Sequence, residues 1–461
     1  MLRLLNAYFP KRTLFLGISE ACLVAGAFVA AAIARLGAND ASIMLAYEQG
    51  FDKILVVSIT FVICMYYFDL YDSAILNNQR EVLTRMFQMQ GTVCLLLGGL
   101  YYLYPPLELG RGIFLIGFIL VATVLLIWRH LFLMLNALPQ FAERTLILGD
   151  GPLAASLVAI LRDRPELGIQ VVAQLQSLED VSGNGSGEVQ LQTLLSSVEA
   201  YRPNRIVVAL SERRGRLPVE PLLKLKSRGM RIQEIGEVYE AVTGKVTIEG
   251  LGLSSLLFSS GFRVSRELLI YKRIASLVIS AIGLVVALPL MALIALAIRL
   301  DSSGPVIFRQ RRIGKDGKVF TLYKFRTMTD GADRDNQHHP AQEADNRFTR
   351  VGRVLRRSRM DELPQLVNIL SGDMHFIGPR PFVESQEEEC LKKIPYYEQR
   401  WAVKPGATGW AQVNRGYNAS IEDNKEKLAY DLFYIKNISI GLDVLIFFKT
   451  IKIVLLGRGS R

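Results

Sequence analysis

Long apolar stretches alternate with polar, arginine-rich stretches along the chain, and the first four apolar stretches follow one another near the N-terminus. They cover residues 13–35, 53–71, 84–104 and 112–135. Each has roughly 17 to 25 residues, the length that a helix needs to cross the hydrocarbon core of a bilayer. The pattern therefore predicts a four-helix transmembrane bundle over residues 1–140 of a multi-domain membrane protein.

Basic residues around these four stretches predict their orientation. They gather before the first stretch, between the second and third, and after the fourth: Arg3, Lys11, Arg12, Arg80, Arg85, Arg129 and Arg144. Lysine and arginine are enriched in cytoplasmic loops. Both ends of the bundle are therefore expected on the cytoplasmic side.

Between residues 141 and 250, short apolar runs alternate with helical patterns, which predicts a Rossmann-like α/β module of the CoA-binding kind. The stretch from Gly149 to Ala154 fits the pattern G-x-G-x-x-A, so Gly149 and Gly151 are candidate cofactor-binding residues. The next strand ends in Gln174 and Gln176 instead of the acidic residue that would bind a ribose. Two interpretations stay open, a structural or regulatory module and a nucleotide-binding one.

A fifth apolar stretch, residues 274–298, has basic residues on both flanks. A straight span would place one of these flanks outside, so the pattern favours a re-entrant helix that enters the membrane, bends and returns to the same face. Pro289 is the expected break, because proline lacks a backbone N–H donor and clashes with the preceding turn. A full span with a proline kink is the alternative.

Composition agrees with a membrane protein that has anionic partners. The 461 residues are 50% hydrophobic and carry a formal net charge of +11. With membrane segments present, this charge favours a lipid surface or phosphate-bearing substrates over nucleic acid. The four cysteines show no metal-binding spacing, so neither a zinc site nor a disulfide framework is indicated.

Two adjacent carboxylates, Asp361 and Glu362, are the candidate chemical centre of the polar C-terminal region. Apolar residues at helical spacing predict an amphipathic helix over DELPQLVNIL, with Asp361 at or near its N-cap. Capping alone explains such an aspartate. With Arg356 and other arginines before it, however, the pair would stay ionised and hold a divalent cation together with a diphosphate. An ionised carboxylate facing a metal-neutralised phosphorus is also a nucleophile.

Four sequence blocks in this region occur together in a known order: YKFRTM, DELPQLVNILSGDM, GPRP and PGATGWAQV. In these blocks the chain resembles the bacterial sugar transferase family, the monotopic phosphoglycosyl transferases that begin glycan assembly on undecaprenyl phosphate. The whole chain resembles the longer members, in which a transmembrane bundle and an α/β module precede the catalytic part. The resemblance implies a re-entrant helix and an α-rich monotopic catalytic domain over residues 266–461.

The resemblance also implies a mechanism. An aspartate attacks the β-phosphate of a UDP-sugar and releases UMP, and the covalent aspartyl-phosphosugar then passes its hexose 1-phosphate to undecaprenyl phosphate. Carried onto this chain, Asp361 is the nucleophile and contacts Mg²⁺, Glu362 is its catalytic partner, and Lys324, Arg356 and Arg380 surround the phosphates.

The implied location is the bacterial inner membrane, with the catalytic domain on the cytoplasmic face and in contact with membrane lipids. The bundle and the α/β module are candidate surfaces for a homodimer, and no nucleic acid partner is expected. At the expected break the family often has Ser-Pro, whereas this chain has Leu288 before Pro289.

Two other functions are compatible with parts of the pattern. One is a membrane-anchored sensor or scaffold without catalysis, which the intact carboxylate pair argues against. The other is a nucleotide-sugar dehydratase or epimerase, which would need a Tyr-x-x-x-Lys pair in the α/β module. Tyr201 and Tyr239 have Arg205 and Thr243 at the fourth following position. The hexose itself is not determined, so glucose, galactose and N-acetylated hexoses all stay open.

Overall fold

The computed structural model describes residues 2–4, 7–72, 75, 78–137, 142–175, 186–210, 217–248, 261–262, 265–329, 331, 347–415 and 420–456. The chain divides into two compact units. One contains Met1–Leu2 and Phe9–Val238, and the other contains Arg3–Tyr8 and Tyr239–Arg461.

Helices dominate the N-terminal part of the first unit. The described residues of this part form α1 (Lys11–Leu36), α2 (Ala38–Tyr47), α3 (Gly50–Tyr67), α4 (Gln79–Leu103) and α5 (Arg111–Ala137). Two short strands precede them, β1 (Leu2–Leu4) and β2 (Ala7–Phe9), and most of their residues belong to the second unit. Helices α1, α3, α4 and α5 coincide with the four predicted spans, whereas α2 was not predicted. Helices α1, α3 and α5 are long and apolar enough to cross a membrane, so the protein is membrane-anchored. Helix α4 has 25 residues, but its first turns are polar, and it is not among the helices that are apolar enough to cross a membrane.

Arg129 occupies a different place from the one that the charge pattern suggested. It lies inside α5, where it is buried and forms a salt bridge with Glu20 of α1, with its Nε donating to Oε1 at 2.6 Å. Its Nη1 also donates to the carbonyl oxygen of Leu70 at 3.0 Å. A buried ion pair inside a helix bundle is stable only when both charges are matched. Arg129 is therefore an internal contact and does not count as a loop charge for topology.

The α/β module contains a four-stranded parallel sheet with strand order β4-β3-β5-β6. The strands are β3 (Glu143–Leu148), β4 (Ile169–Leu175), β5 (Arg205–Val208) and β6 (Arg231–Glu234), and the helices are α6 (Pro152–Asp163), α7 (Ser186–Tyr201), α8 (Val219–Ser227) and α9 (Ile235–Thr243). Apolar residues of strands and helices, including Leu146, Ile206 and Leu222, form its core. The expected alternation of strands and helices is present.

The second unit holds the polar C-terminal region. Its strands are β7 (Ile307–Ile313), β8 (Val319–Phe325), β9 (His375–Ile377) and β10 (Gly406–Thr408). Its helices are α10 (Arg266–Asp301), α11 (Arg350–Arg357), α12 (Gln365–Ser371), α13 (Glu384–Lys393), α14 (Trp410–Asn414), α15 (Ile421–Lys436) and α16 (Ile440–Leu455). Strands β7 and β8 form an antiparallel hairpin, and β9 pairs in parallel with β10.

Helix α10 contains the fifth apolar stretch and is also long and apolar enough to cross a membrane. It runs through Pro289 without ending there, so the expected break is not a break in secondary structure. In its first half, Lys272 donates to the hydroxyl of Tyr434 at 2.6 Å and pairs with Asp443. In its second half, Ile294 and Ile298 pack in one apolar cluster with Phe325 and Leu355. Both halves therefore contact the same unit, and the re-entrant path stays a prediction.

Residues 239–248, which the sequence places in the α/β module, pack on helix α15 of the second unit. Lys436 donates to both carboxylate oxygens of Glu240 at 2.9 Å. The backbone N–H of Val246 donates to the carbonyl oxygen of Ala429 at 3.0 Å. This segment, from Tyr239 to Ile248, is called the docked segment below.

Replacing Glu240 by Gln is expected to loosen the docked segment. Glu240 is buried, and the change leaves the Lys436 ammonium without its carboxylate partner, at a cost of about 2 kcal/mol. Backbone hydrogen exchange at Val246 should become roughly tenfold faster or more. The matched control is Glu389→Gln, which removes the exposed pair with Lys393 and should leave that exchange rate unchanged. Unchanged exchange in Glu240→Gln would mean that this ion pair does not hold the segment.

Candidate active site

The predicted carboxylate pair lies in a short 3-10 turn, Met360–Glu362, between α11 and α12. Arg359 precedes it with φ +57°, a left-handed conformation that reverses the chain after α11. Helix α12 begins only at Gln365, and no side chain caps its N-terminus. The expectation that Asp361 caps this helix is therefore wrong, because the turn and Pro364 separate the two.

Glu362 connects two of the predicted phosphate-binding residues. Its Oε1 accepts a hydrogen bond from Lys324 Nζ at 2.9 Å and another from Arg380 Nη2 at 2.8 Å. Lys324 comes from strand β8, and Arg380 comes from the segment that follows β9. The fold thus brings together three residues that lie in three separate sequence blocks.

The charges around Glu362 keep it ionised. Burial alone would favour the neutral acid, but the Arg380 guanidinium and the Lys324 ammonium outweigh burial and hold the pKa of Glu362 well below its ordinary value of 4.5. The Glu362 carboxylate is therefore ionised and in direct contact with both cations.

Asp361 has a different environment. It is half-buried, and no salt bridge joins it to any residue in the described part of the chain. Burial raises the pKa of Asp361 above its ordinary 3.8, Lys324 and Arg380 lower it, and the neighbouring Glu362 raises it. The two carboxylates therefore differ in their contacts: Glu362 pairs directly with Lys324 and Arg380, whereas Asp361 forms no salt bridge with a described residue.

Asn368 is a site-supporting residue that sequence reasoning missed. It is fully buried in α12 and hydrogen-bonds to the backbone of β8 on both sides of one residue, Leu322. Its Nδ2 donates to the carbonyl oxygen of Thr321 at 2.7 Å, and its Oδ1 accepts from the N–H of Tyr323 at 3.0 Å. Asn368 thereby fixes the strand next to Lys324. The signal in the sequence was a polar residue between the apolar residues Val367 and Ile369.

Arg400 holds the backbone of Arg380 in place. Its Nη2 donates to the carbonyl oxygen of Arg380 at 2.8 Å and to Asp431 Oδ2 at 3.0 Å. The guanidinium also lies 4.3 Å from the ring centroid of Phe382 and 3.3 Å from Glu387 Oε1. Arg400 is buried, with every partner far from it in sequence except Tyr397, so no local pattern predicted this role.

Glycines allow the GPRP block to approach the PGATG block closely. A Cβ atom added to Gly406 would lie 2.1 Å from the backbone nitrogen of Gly378, and one added to Gly409 would lie 2.2 Å from the carbonyl oxygen of Gly378. Neither clash has a flexible side chain that could give way. The two blocks therefore need glycine here because their backbones touch, and this contact supports the segment that carries Arg380.

Arg356, the third predicted phosphate-binding residue, is not bonded to Glu362. It lies in the last turn of α11, and its guanidinium carbon is 4.7 Å from the ring centroid of Phe348. The structure thus brings Lys324 and Arg380 together with the carboxylates but gives Arg356 a cation–π contact instead.

Gly149 and Gly151 lie in the turn between β3 and α6 of the α/β module. Gly149 has φ +123°, and a Cβ atom there would lie 2.8 Å from the carbonyl carbon and oxygen of Ala209. Its own carbonyl oxygen accepts a hydrogen bond from the Gln174 side chain at 3.0 Å. Packing against Ala209, the residue that follows β5, is therefore sufficient to require this glycine.

Within the described residues, no group of three or more His, Cys, Asp or Glu side chains is arranged to hold a metal ion. Mg²⁺ is commonly held by one or two carboxylates together with substrate phosphates and water. Because Glu362 is engaged by two cations, Asp361 is the carboxylate that fits such a shared site.

Comparisons with known proteins connect this site to a family. Residues 267–457 match the family described as bacterial sugar transferase. This range contains all five predicted catalytic and phosphate-binding residues, which are Lys324, Arg356, Asp361, Glu362 and Arg380. The α/β module and the N-terminal helices lie outside it.

Several named proteins are similar to this chain. The "UDP-N-acetylgalactosamine-undecaprenyl-phosphate N-acetylgalactosaminephosphotransferase" of Aeromonas hydrophila is 42% identical over 233 residues, covering 50% of this chain and 53% of that protein. The "UDP-glucose:undecaprenyl-phosphate glucose-1-phosphate transferase" of Escherichia coli is 32% identical over 310 residues, covering 66% of each. The "Exopolysaccharide production protein PSS" of Rhizobium leguminosarum is 40% identical over 189 residues, covering 40% of this chain and 94% of that protein. The chain thus spans about half to two thirds of the first two relatives and nearly all of the third.

Proposed function

Because the chain belongs to the bacterial sugar transferase family, we propose that it transfers a hexose 1-phosphate from a UDP-sugar to undecaprenyl phosphate and releases UMP. One observation carries the proposal. Glu362 is held by Lys324 and Arg380, whereas Asp361 beside it is left without an ion pair among the described residues. This is the arrangement that a carboxylate nucleophile next to bound phosphates needs.

In the first step, a carboxylate oxygen of Asp361 attacks the β-phosphorus of the UDP-sugar. The bond from this phosphorus to the oxygen that bridges the two phosphates breaks, UMP leaves with the electron pair, and the sugar phosphate stays on Asp361. Lys324 and Arg380 stabilise the charge that spreads over the phosphoryl oxygens. Glu362 keeps these two cations in place.

In the second step, an oxygen of undecaprenyl phosphate attacks the same phosphorus. The bond to Asp361 breaks, the aspartate returns to its ionised form, and undecaprenyl diphosphosugar is released. Because a covalent intermediate divides the reaction, the nucleotide and the lipid acceptor need not occupy the site together.

Mg²⁺ is the proposed metal, and when bound it would neutralise part of the diphosphate charge and make the phosphorus more electrophilic. Asp361 is the side chain proposed to contact it, together with oxygens of the substrate. This assignment gives Asp361 two functions, contact with the metal before the reaction and attack on the phosphorus.

Arg400→Lys is expected to slow UMP release about 10²-fold, because it keeps the buried positive charge but cannot hold the Arg380 carbonyl and Asp431 with the same geometry. If Arg400 acts through Arg380, the double variant with Arg380→Gln should be no slower than Arg380→Gln alone. The measurement is a double-mutant cycle on the rate of UMP release. Additive losses would mean that Arg400 does not act through Arg380.

The proposed location is the inner membrane of a bacterium, with the second unit on the cytoplasmic face and α10 re-entrant. Contact of both halves of α10 with the same unit supports this path. A full span would place the two ends of α10 on opposite sides of the bilayer.

Labelling of a cysteine placed after α10 tests this topology. In a background without Cys22, Cys64, Cys94 and Cys390, we expect Ser303→Cys to be inaccessible to an impermeant maleimide in intact cells and to react in inside-out vesicles. The control Glu108→Cys, in the predicted outside loop before α5, should react in intact cells. Labelling of Ser303→Cys from outside would contradict the re-entrant path.

The α/β module is proposed to be a Rossmann-like structural or regulatory part of the enzyme. The order of its parallel strands places Gly149 and Gly151 at the carboxyl edge of β3, beside the point where the strand order reverses. Nucleotide binding there and a homodimer through the bundle or the module both stay predictions.

Incubation of the purified chain with undecaprenyl phosphate, Mg²⁺ and a panel of UDP-sugars tests the proposed reaction. The panel should include UDP-glucose, UDP-galactose and UDP-N-acetylgalactosamine, and the measured product is UMP. We expect release of UMP with at least one sugar and formation of the lipid-linked sugar phosphate. Release of UDP instead, or no release with any sugar, would contradict the proposal.

A further inference from the structure

Helix α11 begins at the point where α10 ends. The backbone N–H of Val351 donates to the carboxylate of Asp301, the last residue of α10, at 2.9 Å. Gly352 lies against the backbone of Thr327, since an added Cβ would be 1.9 Å from the Thr327 carbonyl oxygen. The two helices also share an apolar cluster formed by Ile294, Ile298 and Leu355. Helix α11 is therefore held in one position beside the end of α10.

The side of α11 that faces away from this contact is cationic. Arg350, Arg353, Val354 and Arg357 are exposed and lie at positions i, i+3, i+4 and i+7 of the helix, so they share one face, called the arginine face below. No salt bridge joins its three arginines to a carboxylate within the described part of the chain. Val354, in the middle of the face, is 67% exposed.

The end of α10 presents apolar surface to its surroundings. Leu293, Leu296 and Leu300 are 65%, 57% and 80% exposed, and the exposed Arg299 lies in the same last turn. Such a surface on a helix of this length and composition belongs in hydrocarbon. With α10 placed in the membrane as proposed above, the arginine face begins where this apolar surface ends and therefore lies at the height of the lipid headgroups.

We propose that the arginine face binds the phosphate groups of anionic phospholipids and thereby holds the second unit against the membrane surface. Arginine attracts anionic headgroups, and an apolar residue among the arginines suits the boundary between headgroups and acyl chains. The proposal rests on the proposed membrane placement of α10 and not on the transfer reaction. The nucleotide diphosphate is the competing occupant, but Lys324 and Arg380 serve that site, and Arg356 stacks on Phe348 outside this face.

The test compares the full chain with a variant that carries Arg350→Gln, Arg353→Gln and Arg357→Gln. Both are reconstituted in phosphatidylcholine nanodiscs with increasing amounts of phosphatidylglycerol, and thermal unfolding is measured. We expect phosphatidylglycerol to stabilise the wild-type chain in a salt-sensitive way. In the variant, the phosphatidylglycerol fraction that gives half of this stabilisation should rise at least about fivefold.

The control variant carries Arg162→Gln, Arg164→Gln and Arg228→Gln, three exposed arginines of the α/β module, and loses the same charge. It should respond to phosphatidylglycerol like the wild type. An equal loss in both variants would attribute the effect to net charge and overturn the proposal. An unchanged response of the arginine-face variant would also overturn it. A higher KM of the arginine-face variant for the UDP-sugar in pure phosphatidylcholine would overturn the proposal too, because that result assigns the face to the nucleotide. If the triple variant does not fold, Arg353→Gln alone is compared with Arg162→Gln in the same titration.

Discussion

Asp361→Asn is expected to abolish UMP release, with a loss of at least about 10³-fold, while the chain stays folded in the membrane. The amide lacks the negative charge and the nucleophilicity of the carboxylate, so the sugar phosphate cannot be transferred to it. Asp361 makes no salt bridge to a described residue, so its replacement removes no ion pair from the fold. The measurement is UMP release under single-turnover conditions, with the thermal midpoint of the detergent-solubilised protein recorded in parallel.

Asp316→Asn is the matched control for this change. Asp316 is exposed in the hairpin between β7 and β8, and its left-handed backbone conformation is one that asparagine tolerates well. We expect the control to release UMP at the wild-type rate. If Asp361→Asn also turned over near the wild-type rate, the nucleophile would have to be another group.

Arg380→Gln is expected to reduce the rate of UMP release by about 10² to 10³-fold at neutral pH, the usual effect of removing one group that stabilises transition-state charge. It also changes the pH dependence. Burial raises the pKa of Asp361, and Arg380 is one of the charges that oppose this rise. Without Arg380 the pKa of Asp361 rises further. Because the ionised carboxylate is the nucleophile, the acid limb of the kcat/KM profile should move to higher pH, and the loss should be greatest in acid.

Two comparisons separate this effect from a general loss of structure. Lys324→Gln should move the acid limb in the same direction, since Lys324 also lowers the pKa of Asp361. Arg311→Gln removes a guanidinium that is 70% exposed and pairs with Glu384, and it should leave both the rate and the pH profile unchanged. An Arg380→Gln enzyme with a lower rate but an unshifted acid limb would contradict the electrostatic coupling between Arg380 and Asp361.

Local patterns predicted the elements of this fold well, because a helix that meets lipid must carry a long apolar run and a parallel sheet must alternate with helices. They did not predict the charge pairs between elements. Arg129 looked like a loop charge from its place near the end of an apolar stretch, and only the packing of α1 against α5 brings it to Glu20. Spacing along a chain contains no information about such a contact.

The site was predicted unevenly for a similar physical reason. Lys324, Glu362 and Arg380 lie in short blocks that carry the family resemblance, and they meet in the structure. Asn368 and Arg400 act on the backbone of their partners, so their roles depend on the path of the chain and not on a recognisable pair of residue types.

Helix α12 also shows that an amphipathic pattern does not determine which face of a helix packs against the protein. Its buried residues include Gln365, Asn368 and Ile369, while Val367 is 43% exposed. Leu366 lies beside Gly283 of α10, where an added Cβ would be 3.6 Å from its Cδ1. The polar side of this helix supports the site, and part of its apolar side lies beside α10. Periodicity identified the helix but could not state which side faces the protein.

The most direct test of the proposed mechanism is a rapid-mixing experiment without the lipid acceptor. Purified protein, Mg²⁺ and the preferred UDP-sugar are mixed, UMP is quantified, and the protein is then digested and analysed by mass spectrometry. We expect a burst of about one UMP per active site and a hexose phosphate on the peptide that contains Asp361, which undecaprenyl phosphate then removes. UMP release that requires the acceptor, with no modified peptide, would contradict the covalent aspartyl intermediate.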